Sequence, residues 1–265
     1  MEKITVVKIG GSTLGSHDTT LDDIVALQRQ GKPLVVVHGG GKLITDWLTK
    51  LGVPTKFIRG ERVTDQPTLE VVISVLAGLV NKDIVAAVNR RGGRAVGIAG
   101  VDGSLIEGKI AEVEKGFVGA ITKVNTAVLT TLMTSGYVPI VAPVGLNAGE
   151  KHDGSPSTLN FNADVVAGEI AAALMADKLV FLTDVTGVLD SSSQVIPSLS
   201  IDEADALLAS GVASGGMIPK VQACVRVVTA SGTACIVDGR ESHALMRSIE
   251  IGNTGTVVRR SRPRD

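Results

Sequence analysis

A chain of 265 residues is long enough to bury a full core, as one large α/β domain or as two lobes. With 26 basic and 27 acidic residues it has no basic field for nucleic acid, and 2% aromatics leave few platforms for stacking bases. Its two cysteines, Cys224 and Cys235, suit neither a disulfide framework nor a zinc site and read as buried thiols.

Val, Ile, Leu and Ala dominate the 44% hydrophobic fraction, which suits parallel strands covered by helices on both faces. The first strand is predicted at Ile4–Ile9, with no apolar leader before it, so the expected location is cytoplasmic. It runs into Lys8-Ile9-Gly10-Gly11. Ligands gather at the carboxyl ends of parallel strands, so Lys8 either enters a crevice there or simply reaches solvent. A helix at Leu21–Gln30 leads to a second strand, Leu34–Val37, and then to His38-Gly39-Gly40-Gly41 opening a helix at Lys42–Leu51. Three successive glycines cost backbone entropy. That turn reads as a close approach to an anion, or else as a tight turn without a ligand. His38 reads as a turn or packing residue, since no Ser, Cys or metal constellation accompanies it.

Phe57–Thr64 reads as a hairpin, and Arg62 on it either clamps a carboxylate through two parallel bonds or lies solvated. Asp65 is the expected cap of a long helix, Thr68–Arg91. Gly52, Gly92 and Gly232 fall just past predicted helix ends, where a left-handed residue is wanted. A strand at Arg94–Ile98 precedes hairpin material at Leu105–Lys123, with Gly108, Gly116 and Gly119 as punctuation. A helix at Thr126–Ser135, a strand at Tyr137–Ala142 and a polar loop at Asn147–Ser157 follow.

Asn160-Phe161-Asn162-Ala163-Asp164 enters a helix at Ala163–Ala176. Ordinary capping explains it, and so does a site in which Asn160 holds a substrate amide or carboxylate while Asp164 steadies lysines. The strand Lys178–Leu182 feeds Thr183–Asp190, either a ribose or phosphate holder or a plain turn. Asp202 is the expected cap of a helix at Ile201–Ser210. Gly215-Gly216-Met217-Ile218-Pro219-Lys220 opens a helix at Met217–Ser231, where a lysine opposes the helix dipole unless an anion is present. Phosphate beside Lys220 is the expected anion. A strand at Ala234–Val237 and a helix at His243–Ser248 complete the pattern. No run reads as long enough to span a membrane, and no Walker A pattern occurs.

In this order the motifs resemble those of the amino acid kinase family, over essentially the whole chain. Lys8-Ile9-Gly10-Gly11 is similar to the family at large. His38–Gly41, Arg62–Thr64, Asn160–Asp164, Thr183–Val188 and Gly216–Lys220 resemble the branch that acts on N-acetyl-L-glutamate. The resemblance implies a three-layer α/β/α sandwich with a mainly parallel central sheet. It implies an N-terminal lobe (1–176) for the acyl amino acid and dimerisation, and a C-terminal lobe (177–265) for ATP. The implied reaction is ATP-dependent phosphorylation of the γ-carboxylate of N-acetyl-L-glutamate, the second step of arginine biosynthesis. Mg2+ would be carried mainly by the nucleotide, with no protein metal ligand.

By the same resemblance Lys8 and Lys220 stabilise the phosphoryl group and Asp164 organises them. Gly40, Gly41, Arg62 and Asn160 hold the substrate. ATP meets Gly10, Gly11, Asp184, Val185, Thr186, Gly187, Val188, Leu189, Val212, Ala213 and Ser214. A free γ-carboxyl has a pKa of about 4.3, so the acceptor is already ionised at neutral pH and needs no general base. Arginine-inhibited members carry an added N-terminal helix, whereas only Met1 to Lys3 precede the first strand here. The expectation is a homodimer insensitive to arginine, with Thr68–Val88 as its candidate contact. Two rivals remain. A kinase of carrier-linked aminoadipate needs a basic docking patch, for which only Lys56, Arg59 and Arg62 offer themselves. A nucleotide or arginine sensor would not require Lys8, Asp164 and Lys220. A Rossmann dehydrogenase is set aside because Gly10-Gly11 does not complete GxGxxG.

Overall fold

The structure, a computed structural model, describes residues 3–10, 19–150, 154–230, 232–252 and 255–260. Strand β1 (Thr5–Ile9) is buried along its whole length, and the main sheet grows outward from it. On one side lie β2 (Leu34–His38), β8 (Val138–Ala142) and β5 (Ala95–Ala99), all parallel. On the other lie β11 (Lys178–Thr183) and β13 (Thr233–Asp238), also parallel. An antiparallel β14 (Thr256–Val258) and then β12 (Ser198–Leu199) finish that edge, giving the order β12-β14-β13-β11-β1-β2-β8-β5. The chain leaves β1 toward β2 and later returns on the β11 side, so a crevice opens at the carboxyl end of β1. The sheet is continuous across residues 176 and 177, because β1 pairs directly with β11.

Alternation along the strands assigns their side chains to two layers of helices. Val6, Val35, Val37 and Phe181 pack with α6 (Ala163–Ala173) and α8 (Met217–Ala230), with α5 (Ala127–Thr134) against β2 and β8 on the same side. Val7, Ile9, Val36 and Leu182 face α1 (Thr20–Arg29), α4 (Asn81–Arg90) and α9 (Ala244–Glu250). These are the three layers expected from the sequence. Beyond the carboxyl edge stand α2 (Gly41–Lys50), the hairpin β3 (Phe57–Ile58) and β4 (Glu61–Arg62), and a second sheet. That sheet has the order β10-β9-β6-β7, built from β6 (Ile106–Ile110), β7 (Gly119–Val124), β9 (Val144–Asn147) and β10 (Thr158–Asn160).

Several local expectations are corrected. Gly108 and Gly119 lie inside β6 and β7 rather than at turns, and with Gly145 they make room for the Phe161 ring, which a Cβ at any of them would strike. Ser200, not Asp202, caps α7 (Ile201–Ala209), in a reciprocal pair with Glu203. Gly232 has no left-handed backbone; a Cβ there would collide with the Ala176 carbonyl. Gly52 and Gly92 do have positive φ, and Asp65 caps α3 (Gln66–Ile73) as expected. Asn147 ends β9 and bonds to Ser157 and Pro156, so the polar loop joins two strands; residues 151–153 lie outside those described. Finally, Ser74–Val80 forms a π-helical turn that fuses α3 and α4 into one helix, 66–90. With a mean hydropathy of 2.0 over its most apolar stretch, it is long and apolar enough to cross a membrane, contrary to the expectation of no such run. Here one of its sides packs on α2, β5 and β8.

Candidate active site

Lys8 follows Val6 by two residues, so alternation sends its side chain to the α6 face at the mouth of the crevice. The helix α6 starts there, capped by Asn162, whose side chain accepts from the Asp164 and Val165 amides. Asp164 in the first turn lies 2.8 Å from the Lys8 ammonium through Oδ1. Its Oδ2 accepts from Lys220 at 2.9 Å, and Lys220 also donates to the Gly216 carbonyl. Burial would push the Asp164 carboxyl up, but the two lysines outweigh it and hold the pKa below the usual aspartate value. The anion that reconciles Lys220 with the helix dipole is therefore Asp164. The dipole argument alone does not demand phosphate.

Lys220 reaches Asp164 because α6 and α8 come close one turn further along. A Cβ on Gly168 would stand 2.7 Å from the Ala223 Cβ. Gly168→Val is expected to push α8 away, lengthening the Lys220–Asp164 contact and lowering both melting temperature and kcat. Thermal unfolding and initial rates check this; an active, stable variant would remove the role given to that contact.

Beside Lys8 lies a pocket of about 220 Å³. Gly40, Gly41, Arg62, Asn160 and Asp164 share its wall with Phe57, Leu76, Val118, Pro143 and Phe161. Arg62 is 8% exposed and stacks on Phe57 at 4.8 Å. Its Nη2 donates to the Gly41 carbonyl at 3.0 Å and to Thr45 Oγ1 at 2.8 Å. Its Nη1 is buried with no hydrogen-bond partner. Burial lowers the Arg62 pKa from its usual value, but a guanidinium stays charged at neutral pH. A buried donor left open costs free energy unless a ligand completes it. Asn160 donates to Thr64 Oγ1 at 3.2 Å, which ties β10 to the Arg62 segment. Gly41 needs no special backbone: a Cβ there would meet nothing within 4 Å. Its place on the pocket wall gives the reason for keeping it bare.

Behind the glycine turn, His38 is fully buried. Nδ1 lies 2.9 Å from the Gly39 carbonyl, so it carries the proton; Nε2 then accepts from Asn81 at 3.2 Å. Asn81 also donates to the Ile140 carbonyl and accepts from Lys82. Sequence reasoning missed Asn81, because neither its burial nor the π-helical turn before it is legible in the sequence. Burial lowers the His38 pKa from 6.5 to about 4, the Gly39 bond opposes that, and Lys8 and Lys82 add to it. His38 is thus a neutral packing residue, as expected from the sequence. Between those two pH values the unfolded chain binds a proton that the folded chain refuses, so stability falls as pH falls. His38→Gln is expected to flatten the stability profile over that window by about 3 kcal/mol, measured as urea midpoints.

The proposed nucleotide segments lie at the same carboxyl edge. Asp184, Val185 and Thr186 follow β11 and are exposed, whereas Gly187 and Val188 are buried and the Val188 amide donates to Thr256. Val212 and Ser214 are exposed before α8, and Ala213 is buried. The Gly10 amide donates to the Leu182 carbonyl at 3.0 Å, so that donor is already engaged; Gly11 lies outside the described residues. Among the described residues the three named for a basic docking patch do not gather into one: Lys56 is exposed, Arg59 lies against Glu112 and Glu114, and Arg62 is turned into the pocket.

The profile of the amino acid kinase family matches residues 3–238. The acetylglutamate kinase of Dehalococcoides mccartyi is 47% identical over 255 residues, covering 96% of this chain and 94% of that protein. The acetylglutamate kinase of a Nostoc species is 46% identical over 266 residues, covering 97% and 87%. Among solved structures, smu.665 from Streptococcus mutans UA159 superposes with a TM-score of 0.83 at 30% identity, covering 98% of this chain and all of that one.

Proposed function

The chain belongs to the amino acid kinase family, and we infer that it phosphorylates the γ-carboxylate of N-acetyl-L-glutamate with ATP, the activity for which its relatives are named. The observation that carries this reading is the Arg62 pocket lying directly beside the Lys8–Asp164–Lys220 cluster. The relatives at 42% to 48% identity share one name, and the absent docking patch disfavours a carrier-linked substrate.

The acceptor carboxylate oxygen attacks the γ-phosphorus, and the bond from phosphorus to the bridging β-oxygen breaks. Its electron pair leaves with ADP. An acyl phosphate forms and no proton need move. The barrier is the approach of two anions and the charge spread over the phosphoryl oxygens, so positioning and fixed cations carry the catalysis. Arg62 Nη1 takes the substrate's other carboxylate, Asn160 meets the acetamido group, and the amides of Gly40 and Gly41 face the reacting end. Lys8 serves the acceptor side of the phosphoryl group and Lys220 the donor side. Asp184–Leu189 and Val212–Ser214 receive the nucleotide.

Among the described residues no three His, Cys, Asp or Glu gather into a metal cage. Mg2+ would enter with the triphosphate and neutralise phosphate charge, since this hard cation keeps waters and takes few protein ligands. All residues of the acyl pocket fall between 8 and 164, which supports assigning 1–176 to the acyl amino acid and 177–265 to ATP. The protein works in the cytoplasm, with no membrane or nucleic acid as partner.

It acts as a homodimer through the face of helix 66–90 that the monomer leaves open. Trp47, Leu51 and Leu79 are exposed there, and Glu70 is the one charged residue in the groove they line. A second copy of so apolar a surface is its fitting cover. Leu79→Glu is expected to give monomers by light scattering; a monomeric parent protein would sink this assignment.

The activity is tested by trapping the product with hydroxylamine. Acyl hydroxamate is expected from ATP and N-acetyl-L-glutamate, and at much lower rates from the longer N-acetylaminoadipate. No hydroxamate from either substrate overturns the reading.

A further inference from the structure

Lys115 is 5% exposed, yet it belongs neither to the phosphoryl cluster nor to the sheet core. It ends the short 3-10 turn Val113–Lys115, between β6 and β7. Its ammonium lies 2.6 Å from Glu61 Oε2 and 2.8 Å from Glu112 Oε1. Arg59 stands 3.5 Å from the other oxygen of Glu112, so Glu112 has a second cation and Glu61 depends on Lys115. Bonds to Glu112 and Glu61 raise the Lys115 pKa, so the ammonium is held charged.

Glu61 matters because of where it stands. It immediately precedes Arg62 on β4 and forms part of the wall of the acyl amino acid pocket. A substrate with two carboxylates would meet an unbalanced negative charge there, and like charges brought together in a partly buried site repel strongly. The backbone ties the same two segments together. Thr64 donates to the Lys115 carbonyl at 3.0 Å, and Phe117 donates to Thr64 at 2.7 Å. Gly116, between them, is packed so that a Cβ would collide with the Thr64 carbonyl.

We propose that Lys115 is a positioning and specificity residue for the acyl amino acid. It cancels the charge of Glu61 on the pocket wall, so that a dianionic substrate is accepted. This rests on the acetylglutamate reading given above. Lys115 touches no substrate. It acts through Glu61.

The experiment compares wild type, Lys115→Met, Glu61→Gln and the double variant by steady-state kinetics at low and high ionic strength. Lys115→Met is expected to raise KM for N-acetyl-L-glutamate about tenfold at low salt and less at high salt, since screening weakens the repulsion. Its kcat and its KM for ATP stay within about twofold of wild type. The double variant regains the wild-type KM, which a merely structural role for Lys115 would not permit. Glu61→Gln alone leaves Lys115 with surplus charge and lowers KM for the anionic substrate at low salt.

An unchanged KM in Lys115→Met overturns the proposal, and so does a double variant that stays impaired. Should Lys115→Met fail to fold, Glu61→Gln decides: a KM equal to or above wild type at low salt overturns the proposal. Wild type that makes no acyl phosphate would instead refute the underlying activity. An active wild type with no charge effect refutes Lys115 alone.

Discussion

Lys8→Met is expected to lower kcat by about 10²- to 10³-fold, with KM for either substrate changed by less than about tenfold. The ammonium of Lys8 opens onto the acyl pocket beside the point where phosphoryl charge develops, so its loss falls on the transition state. Stability will fall as well. The change removes one of two cations from a buried carboxylate, and stripping a buried charge of its partner costs about 3–5 kcal/mol. Lys220 still holds Asp164, so the loss should be smaller than that. Turnover should therefore suffer more than folding, though folding does not escape. Single-turnover rates and urea unfolding on the same samples separate the two effects. A kcat within tenfold of wild type would take the phosphoryl role away from Lys8.

Arg62→Met should show the opposite split. A hydrogen bond to a charged group is worth about 1.5–3 kcal/mol, so KM for N-acetyl-L-glutamate rises by roughly ten- to hundredfold. The change in kcat should be much smaller, and KM for ATP should not follow. The variant also removes the bonds to the Gly41 carbonyl and Thr45, so the glycine turn loosens. Arg62→Lys tests this further, because a lysine offers a point charge without the planar fork and should recover little. Isothermal titration with the acyl amino acid in the absence of ATP gives the direct measure. Unaltered binding would move the carboxylate contact elsewhere.

Much of this site is legible in the sequence because each motif is local. Lys8 before two glycines, Asp164 in a first helical turn and Lys220 after a proline all announce strand ends or helix starts, where ligands collect. Their meeting is not legible. It depends on Gly168 letting α6 and α8 approach, and nothing in the neighbourhood of Gly168 says which helix it will face. Lys115 is the sharper example. It is one lysine following Glu112 and Glu114 in hairpin material and reads as a solvated charge run until the fold buries it against Glu61.

The strands missed at the sheet edge, Ser198–Leu199 and Thr256–Val258, are too short for alternation to register. The cap of α7 is legible, since Ser200 and Glu203 have the spacing of a reciprocal cap. Gly108 and Gly119 read as turns because close packing and turns favour the same residue, and only tertiary contacts tell them apart.

Asp164 is held by one lysine from near the start of the chain and another from near its end. A free lysine side chain has roughly 2 kcal/mol of rotational freedom to lose, and both have surrendered most of theirs before any nucleotide arrives. Folding, not substrate, has done that immobilisation. What remains is one surplus positive charge in a dry corner, already aimed, so an incoming triphosphate finds a counter-charge that does not have to be recruited.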